Sequence, residues 1–557
     1  MQYKQTLLKL FLILAPFAVF SQTTYLPQGA KENILLERME IKLGTDSILN
    51  FSKTKPFSRL MMIPRLGRLD SSQLTKVDQY NLYTAMLSNL EYASGSRTKY
   101  LSKRPILKSL YETPGNFYEK NLENFYIAVN PVFQYTIGKE KDNSDHLFTN
   151  TRGVAVRGRI ANKVGFAAYV TDNQERDPLY VQQFITERNA VPGAGFYKTF
   201  KAKGGVDYFD ARGYVTFGVA KVIDIAFGYD KNFIGNGHRS LFLSDFSAPT
   251  VFLKLNTHIW KFNYQNLFME LNSASRLNAD QLLPKKYAAM HHLDINILKW
   301  LNVGLFEGIV FGRKDHFEFG YLNPVIFYRS IEQQNGSYDN AVAGLDLKAN
   351  VAHTLQFYGQ LLVDEFKLNE VKAGNGWWGN KFGMQAGVKY IDALGIKNLD
   401  LQLETNRVRP FTYSHRDSVA NYTHYNQPLA HPLGANFQEW IGIARYNPIP
   451  KLMLQAKAIY YVQGKDTSAV SYGSNIFLPN VSPYRTKEYG FEIGSGLRTK
   501  TALANLLVSY ELKPNFFIEA NGLYRKQSIA ASNVSAPNTF VFSAGIRWNM
   551  HRREFDF

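Results

Sequence analysis

The stretch AVAGLDLKANVAHTLQFYGQLLVDEF, residues Ala341–Phe366, decides the fold. Both of its halves alternate between apolar and polar side chains. One face collects Leu345, Leu347, Ala349, Leu355, Phe357, Leu361 and Val363, and the other collects Asp346, Lys348, Asn350, Gln356, Tyr358, Gln360 and Asp364. A period of two indicates β-strands, because successive side chains of a strand point to opposite faces. The residues Asn350–His353 between the halves predict a tight turn, so the stretch forms a β-hairpin.

Each arm of this hairpin is long enough to cross a bilayer, for which a strand needs about 9–11 residues. The pattern repeats along the chain, with tight turns predicted near Asn162, Lys221, Thr257, Trp300, Val351, Ala393, Pro448 and Pro514. With the strands Phe125–Gly138 and Thr539–Asn549 the total is about 18, an even number that suits a closed bacterial barrel. That count requires Lys487–Leu512 to form one very long strand or two. The sequence therefore predicts an all-β fold, a closed antiparallel outer-membrane β-barrel; a soluble protein with several sheets is the alternative.

The composition agrees with a barrel and excludes several other classes of protein. Aromatic residues make up 14% of the 557 residues, as the aromatic girdles of a membrane barrel require. There is no cysteine, which excludes disulfides, thiolate metal sites and a lipoprotein anchor. The net charge of +18 is spread along the chain rather than clustered, so nucleic acid is not expected as a partner. An acidic surface polysaccharide or lipopolysaccharide suits this charge, although a generally basic proteome explains it equally well.

The N-terminal part of the chain does not alternate. Residues 1–21 combine two lysines with a short apolar run and a small residue, which predicts a secretory signal peptide rather than a membrane anchor. Residues 22–120 predict a periplasmic or plug-like region, partly helical, because Leu74–Tyr92 has apolar residues near helical spacing and Ser71–Ser72 can cap its start. A disordered leader is the alternative. Residues 121–557 then form the barrel, and the export signal places it in the outer membrane of a Gram-negative cell, among outer-membrane lipids.

Short turns at one end of the barrel and long connections at the other are typical of outer-membrane barrels. The Gly-rich segment 231–248 and the amphipathic segment 178–188 are candidates for folding into the lumen. The chain ends in Phe557, and a terminal aromatic residue is usual where the barrel-assembly machinery reads a last strand. Its phase differs from that of Trp548, so a bulge or a short tail after Asn549 is expected.

Three stretches carry residues suited to binding a sugar. Gly235-Asn236-Gly237 lacks the Lys-Ser/Thr of a phosphate loop, and it precedes His238 and Arg239, which either contact an acidic sugar or belong to a loop folded into the lumen. Exposed indoles of Trp377 and Trp378 can stack on sugar rings, but tryptophan also favours a membrane-interface girdle. The long loop Phe411–Gln438 holds Tyr413, Tyr422, His424 and Tyr425, and is either a glycan site or a folded loop that closes the barrel mouth.

Catalysis, a cofactor and a metal are not expected. The histidines of the Phe411–Gln438 loop have no standard ligand spacing, and His291-His292 alternate across a strand, so only one of the two can face the lumen. The carboxylates that could line the lumen are Glu307, Asp364, Glu404 and Glu439, and the expected partners are Arg407, Arg409, Arg445 and Arg547. Such carboxylates could serve a glycosidase, but ordinary lumen salt bridges are the favoured interpretation.

Several segments resemble a known family. They are Gly235–Pro249 (GNGHRSLFLSDFSAP), Phe319–Pro324 (FGYLNP), Tyr358–Phe366, Tyr25–Ala30 and Lys55–Arg59. They are similar to Wzi-type capsule assembly barrels, and in particular to Bacteroidetes relatives of the gliding motility protein RemB type. The resemblance implies an 18-stranded outer-membrane barrel with a helical periplasmic part. It also implies a lectin-like hold on capsular polysaccharide or, for the gliding relatives, a part in surface motility with gliding machinery proteins as possible partners.

The function we expect is therefore non-catalytic: binding or organising cell-surface polysaccharide, with support of gliding motility as a further possibility. The binding residues expected are His238, Arg239, Trp377, Trp378, Tyr413, Tyr422, His424 and Tyr425. The alternative is a passive or gated porin for a small polar solute, which uses the same barrel. A supporting role for secretion machinery or an adhesin is a third possibility.

Overall fold

The computed structural model describes residues 23–557 apart from 94–95, 201–203, 221, 275–281, 315, 326, 337, 468–469 and 531–537. The predicted signal peptide, 1–21, and the predicted turn residue Lys221 lie outside the described residues. Among the residues that are described, no helix is long and apolar enough to cross a bilayer.

The chain begins with short strands and helices and continues into a long antiparallel sheet. The first elements are β1 (Tyr25–Leu26), α1 (Lys31–Leu43), β2 (Thr54–Lys55), β3 (Phe57–Ser58), α2 (Arg59–Leu66), α3 (Lys76–Ser88) and β4 (Tyr118–Leu122), with 3₁₀ turns at Ser71–Gln73 and Arg97–Tyr100. The strands that follow are β5 (Phe125–Glu140), β6 (His146–Ile160), β7 (Val164–Arg176), β8 (Lys198–Phe200), β9 (Gly205–Val219), β10 (Ile223–Asp230), β11 (Phe233–Ile234), β12 (Thr250–Ile259), β13 (Phe262–Asn272), β14 (Lys285–Asn296), β15 (Leu301–Phe311), β16 (Asn340–Val351), β17 (Leu355–Glu365), β18 (Lys381–Tyr390), β19 (Leu399–Val408), β20 (Thr423–His424), β21 (Gln427–Pro428), β22 (Phe437–Tyr446), β23 (Leu452–Lys465), β24 (Leu497–Lys513), β25 (Phe516–Ile529) and β26 (Thr539–Trp548). The later helices are α4 (Leu179–Arg188), α5 (Tyr328–Gln334) and α6 (Leu368–Ala373), with 3₁₀ turns at Phe319–Leu322, Ala393–Gly395 and Ser418–Ala420.

Strands β8, β11, β20 and β21 are short and lie in connections; the other strands from β5 to β26 form the wall of a closed barrel. The wall has 18 strands, each antiparallel to its neighbours, and it closes where β26 pairs with β5, with Trp548 opposite Phe133. The predicted fold class is confirmed.

The hairpin of β16 and β17 shows how the alternation builds the wall. Lys348 pairs with Tyr358, and both side chains face the lumen, where Lys348 is 1% exposed. Leu347 and Phe357 face outward and are 43% and 45% exposed. The turn uses Ala352 and His353, both at positive φ. The apolar face is therefore the outer wall and the polar face lines the interior, as a barrel in a bilayer requires.

Two predicted strand boundaries are wrong. Thr257 lies inside β12, and the turn falls at Trp260, whose φ is +53°. Residues 487–496 belong to a long irregular connection, and β24 is one strand of 17 residues that begins at Leu497. In both places apolar or alternating side chains continue into a turn or loop, so the pattern by itself does not mark where pairing ends.

The N-terminal region fills the lumen at the end of the barrel with the short turns. Its buried helix side chains pack together, and ion pairs fix it to wall residues that face inward. Glu40 on α1 lies 2.5 Å from Lys348 Nζ, and Lys53 Nζ lies 3.2 Å from Asp294. Helix α3 begins one turn later than predicted, because the Thr75 hydroxyl, rather than Ser71 or Ser72, accepts the capping hydrogen bond from the Asp78 N–H.

Three further segments occupy the interior. In the 231–248 segment, Phe242 stacks on the lumen-facing Phe306 with ring centroids 4.4 Å apart. Helix α4 buries Val181 and Ile185 against the inner wall at Tyr208. The segment 549–557 leaves β26 and turns into the lumen. Phe557 therefore packs on Phe184, with centroids 4.9 Å apart, and does not belong to the last strand.

A covered polar site lies on the outer wall beside α5. His292 faces the lumen, 2.7 Å from Asp346, whereas His291 faces outward, with its ring 4.0 Å from the ring of Tyr328 on α5. Glu307 pairs with His291 across the strands and also faces outward, where it accepts a hydrogen bond from the Arg329 N–H. The prediction that Glu307 lines the lumen is therefore wrong: in β15 its neighbours Phe306 and Gly308 have the inward positions.

Candidate functional site

Two long connections meet at the end of the barrel opposite the short turns. Residues 366–380 join β17 to β18, and residues 466–496 join β23 to β24. The Phe491 N–H donates to the Gly376 carbonyl, 2.9 Å away, and the Trp378 N–H donates to the Glu488 carbonyl, 3.0 Å away. Gly376 has a φ of +70°, and a Cβ there would lie 2.8 Å from the Phe491 nitrogen, so the close approach requires glycine.

The indoles of Trp377 and Trp378 at this junction are half-buried, and each makes a cation–π contact. The Arg485 Cζ lies 4.1 Å from the Trp378 ring centroid, and the Lys367 Nζ lies 4.5 Å from that of Trp377. The Trp378 Nε1–H donates to a Glu488 carboxylate oxygen, 2.7 Å away. We name the five residues Lys367, Trp377, Trp378, Arg485 and Glu488 the tryptophan patch.

The charges of the tryptophan patch are fixed in place. Arg485 forms an ion pair with Glu488, and its hydrogen bonds lower the pKa of the Glu488 carboxyl below its ordinary value. Exposed Tyr484 and Tyr489 flank this pair in the same loop. Guanidinium groups match carboxylates, and aromatic faces attract cations and apolar ring faces, so the patch is chemically suited to an acidic sugar.

The residues of the Phe411–Gln438 loop lie elsewhere. Tyr413 and Tyr422 are buried, and their hydroxyls donate to the carbonyls of Leu241 and Phe242, 2.8 and 2.7 Å away. The His424 ring is buried too, and its Nδ1 accepts from the Asn272 N–H, 3.0 Å away. The structure corresponds to the alternative of a folded loop that closes the barrel mouth, and it does not bring these three side chains together with the tryptophans.

Tyr425 is half-buried and sits on the same loop with a positive φ. Its N–H donates to the carbonyl of Asn272, 3.1 Å away, so it too is placed at the barrel mouth and not in the tryptophan patch.

His238 and Arg239 lie in the lumen, where the carboxylates that they contact are the protein's own. The Arg239 Nη1 and the His238 Nε2 each lie 2.7 Å from the Asp556 carboxylate. The imidazole nitrogen of His238 and the carboxylate oxygens of Glu554 and Asp556 come close enough together for a metal. However, Lys457 Nζ already contacts both carboxylates and lies 2.5 Å from that of Asp556. An ammonium group therefore supplies the positive charge that these side chains need.

The predicted lumen carboxylates have partners other than the expected arginines. Glu439 pairs with His431 at 2.7 Å, Asp364 pairs with Lys381 at 2.9 Å, and Glu404 accepts from the His238 N–H at 2.6 Å. The arginines predicted as partners have other contacts. Arg445 lies 3.5 Å from Glu37, and Arg547 forms an ion pair with Glu519. Arg409 donates to backbone carbonyls, and Arg407 lies on the outer face of its strand.

Sequence reasoning missed Lys367, Arg485 and Glu488. The run Tyr484–Tyr489 mixes aromatic and charged residues, which is the signal that points to a binding loop. The alternation predicts a strand for half of this run, which hides the signal, and nothing in the sequence indicates that the run meets the tryptophan loop.

The family described as capsule assembly protein Wzi matches residues 134–529. Among solved structures, Wzi of Escherichia coli, described as an outer-membrane protein involved in group 1 capsule assembly and a carbohydrate-binding β-barrel, superposes with a TM-score of 0.57 at 13% identity, covering 96% of this chain and 100% of that one. OprD of Pseudomonas aeruginosa gives a TM-score of 0.42 at 12% identity, over 76% of this chain and 94% of that one. No individually curated protein matches the sequence.

Proposed function

Because the chain belongs to the capsule assembly protein Wzi family and is an outer-membrane β-barrel, we propose that it binds or organises acidic polysaccharide at the cell surface without catalysing a reaction. The tryptophan patch is the observation that carries this proposal. Its two indoles, two cations and flanking tyrosines lie together at the end of the barrel that bears the long connections. Long connections lie on the extracellular side of bacterial barrels, so the patch faces the medium.

The mechanism combines attraction with stacking. The positive charge of the protein draws an acidic glycan toward the surface, and Arg485 and Lys367 meet its carboxylates. The indoles of Trp377 and Trp378 supply flat apolar surfaces for sugar rings. A chain of repeating sugars can be held by several such weak contacts at once, since linked contacts reinforce one another.

The filled interior favours a binding barrel over a porin. The N-terminal region, the 231–248 segment, α4 and the 549–557 segment all occupy the lumen. A small polar solute would need a path past them, whereas a glycan bound outside needs none.

Binding of purified protein to the acidic surface polysaccharide of its own cells tests the proposal. The double variant Trp377→Ala/Trp378→Ala should bind at least about tenfold more weakly, the equivalent of about 1.4 kcal/mol. Trp260→Ala/Trp300→Ala is the matched control, because these two tryptophans are 75% and 44% exposed but lie at the opposite end of the barrel. Equal binding by both variants would refute a tryptophan site.

The resemblance of Gly235–Pro249 and Phe319–Pro324 to gliding relatives of the RemB type supports a second proposed role, in gliding motility. The two roles separate in a strain that lacks the protein, by measuring cell-bound and shed polysaccharide beside colony spreading. Glycan that moves to the medium at unchanged synthesis indicates an anchor. If the ratio of cell-bound to shed polysaccharide is unchanged and colonies fail to spread, the motility role is indicated instead.

A further inference from the structure

A cavity of about 390 Å³ lies inside the barrel, remote from the tryptophan patch. Helix α1, the 231–246 segment and the 552–556 segment surround it together with inward-facing wall residues. We name it the lumen cavity. Its charged lining is mixed, but it includes Lys55, Lys231, Lys389 and Arg552.

Most of the ions around the lumen cavity are neutralised by a partner. Lys389 Nζ lies 2.6 Å from Glu37, and Arg552 Nη2 lies 2.6 Å from Glu519. Burying a charge without such a partner is costly, because the group loses its water shell. Pairing is therefore the expected state of every ion in this part of the lumen.

Lys55 and Lys231, which are both half-buried, lack such a partner. Neither ammonium group has a carboxylate oxygen within 4.0 Å among the described residues. Lys55 Nζ lies 4.7 Å from the Phe233 ring centroid, and Lys231 Nζ donates only to the backbone carbonyl of Asp245, 2.8 Å away. The Asp245 carboxylate also lines the cavity and attracts both lysines from a greater distance.

Burial and the nearby Lys389 lower the pKa of Lys55 to about 8, and burial and Arg212 lower the pKa of Lys231 to about 8. Both lysines thus remain mostly charged near neutral pH while lacking a close counter-ion. Glu37, Glu40 and Asp245 attract Lys55, and Asp210 and Asp245 attract Lys231, but each does so from beyond the distance of an ion pair. The cavity therefore has a positive end that is compensated only from a distance.

Several of the side chains that line the same cavity have a buried atom without a hydrogen-bonding partner among the described residues. Gln356 is fully buried and its Oε1 has no partner within the described residues. Asn33 Oδ1, Arg239 Nε and Arg552 Nε are likewise buried atoms without a partner among the described residues, although Asn33 and Arg552 as whole residues are half-buried. Buried polar atoms are normally satisfied, so each of these indicates a missing hydrogen-bonding partner. The unpartnered oxygens can accept hydrogen bonds from hydroxyl groups, and the unpartnered arginine nitrogens can donate to an anionic group. A molecule that carries both kinds of group fits this lining.

We propose that the lumen cavity is a binding site for a small anionic sugar, with Lys55 and Lys231 holding its carboxylate or phosphate and Gln356 and Asn33 accepting from its hydroxyls. The volume is in the range of small-molecule sites, about 300–1,000 Å³. The site is independent of the proposed surface site, because it shares no residue with the tryptophan patch. Under this proposal the interior of the barrel binds a ligand, in addition to being filled by segments of the chain.

The test is thermal unfolding of the purified full chain in detergent at constant ionic strength. The probes are glucuronate, glucose 6-phosphate, inorganic phosphate and neutral glucose. We expect the anionic sugars to raise the Tm and glucose to leave it unchanged. Response to glucuronate or to the sugar phosphate alone identifies the anionic group, and an equal response to inorganic phosphate would overturn the sugar part of the proposal.

Variants locate the effect. Lys55→Met/Lys231→Met should lose at least about tenfold in apparent affinity. Lys141→Met/Lys372→Met should not, because these two exposed lysines lie in connections between wall strands, Lys372 on α6. If the first double variant does not fold, the single variant Lys55→Gln is measured by calorimetric titration. No Tm response of the unaltered protein, or the same response in both double variants, would overturn the site. Trp377→Ala/Trp378→Ala should keep the response, which separates this site from the proposed surface site.

Discussion

The guanidinium carbon of Arg485 lies 4.1 Å from the centroid of the Trp378 ring, and this contact joins two loops separated by more than a hundred residues. The same guanidinium is paired with Glu488, which accepts the indole hydrogen bond. Each of the three groups therefore restrains the other two. A cation held in this way loses little conformational freedom when it meets a carboxylate, which favours binding.

Arg485→Ala should weaken binding of an acidic polysaccharide by about five- to tenfold, from loss of one charge contact and the restraint on Trp378. Arg416→Ala is the matched control, because Arg416 also lies over an aromatic ring, Tyr338, but in another loop. Affinity measured at a series of salt concentrations gives the electrostatic contribution of Arg485 to binding. An equal loss in the two variants would mean that only overall charge matters.

Lys53→Met should destabilise the folded barrel by about 3–5 kcal/mol. Lys53 is fully buried between Asp294 and Asp346, and methionine leaves both carboxylates without their cation. Denaturant unfolding in detergent measures the loss. Exposed Lys103→Met should change stability by less than about 0.5 kcal/mol. A small loss at Lys53 would show that the N-terminal region is not held by this ion pair.

The intact protein should pass little current in a planar bilayer, and deletion of residues 23–116 should raise the conductance. The deleted region supplies Glu40 and Lys53, which fix the filling to the wall. Deletion of 549–557 alone should have a smaller effect, because the N-terminal region stays in place. Porin-like conductance of the intact chain would support the transport alternative instead.

The anion response of the lumen cavity should fade as the pH rises through about 8. The pKa values of Lys55 and Lys231 are lowered to about 8 from an ordinary value near 10.5, so the charges needed by the anion disappear above that pH. Without an anion the sign is opposite. The native state holds these protons less tightly than the unfolded chain, so the free energy of unfolding should rise between pH 8 and 10.

The Tm measured against pH, with and without glucuronate, checks both signs. The charged neighbours Lys389, Glu37 and Asp245 are present in every sample, so Lys55→Met/Lys231→Met gives the baseline to subtract. An anion response that stays constant from pH 7 to 10 would assign it to the arginines.

Variants of Trp548 and Phe557 should have different effects, the first on assembly of the barrel in the membrane and the second on its stability. Trp548 ends the last strand, paired with Phe516 and Phe133, so Trp548→Ala should lower the amount of folded barrel in the membrane if assembly machinery reads that strand. Phe557 packs in the lumen on Phe184 and Phe246, so Phe557→Ala should cost about 2 kcal/mol of stability with normal insertion. Heat-modifiable mobility of membrane fractions measures both, and the reverse outcome would contradict this assignment.

The sequence by itself determined the barrel. Alternation is a local property of each strand: Leu347 must face outward if Lys348 faces inward, whatever the rest of the chain does. Repetition of that rule around a closed sheet predicts the wall, the strand number and the burial of Lys348 and Tyr358 in the lumen. The same rule required that only one of His291 and His292 face the lumen, and the structure shows that it is His292.

Only the tertiary structure decided what these side chains touch. The sequence predicts that Arg239 either contacts an acidic sugar or belongs to a loop folded into the lumen, and in the structure it lies in the lumen and binds the carboxylate of Asp556. Asp556 lies 317 residues away and enters the lumen by a tail that no periodicity describes. Likewise, Trp378 meets Arg485 because two irregular loops fold together. Alternation fixes the face of a strand, but loop contacts depend on closure of the whole barrel, which brings distant parts of the chain to the same end.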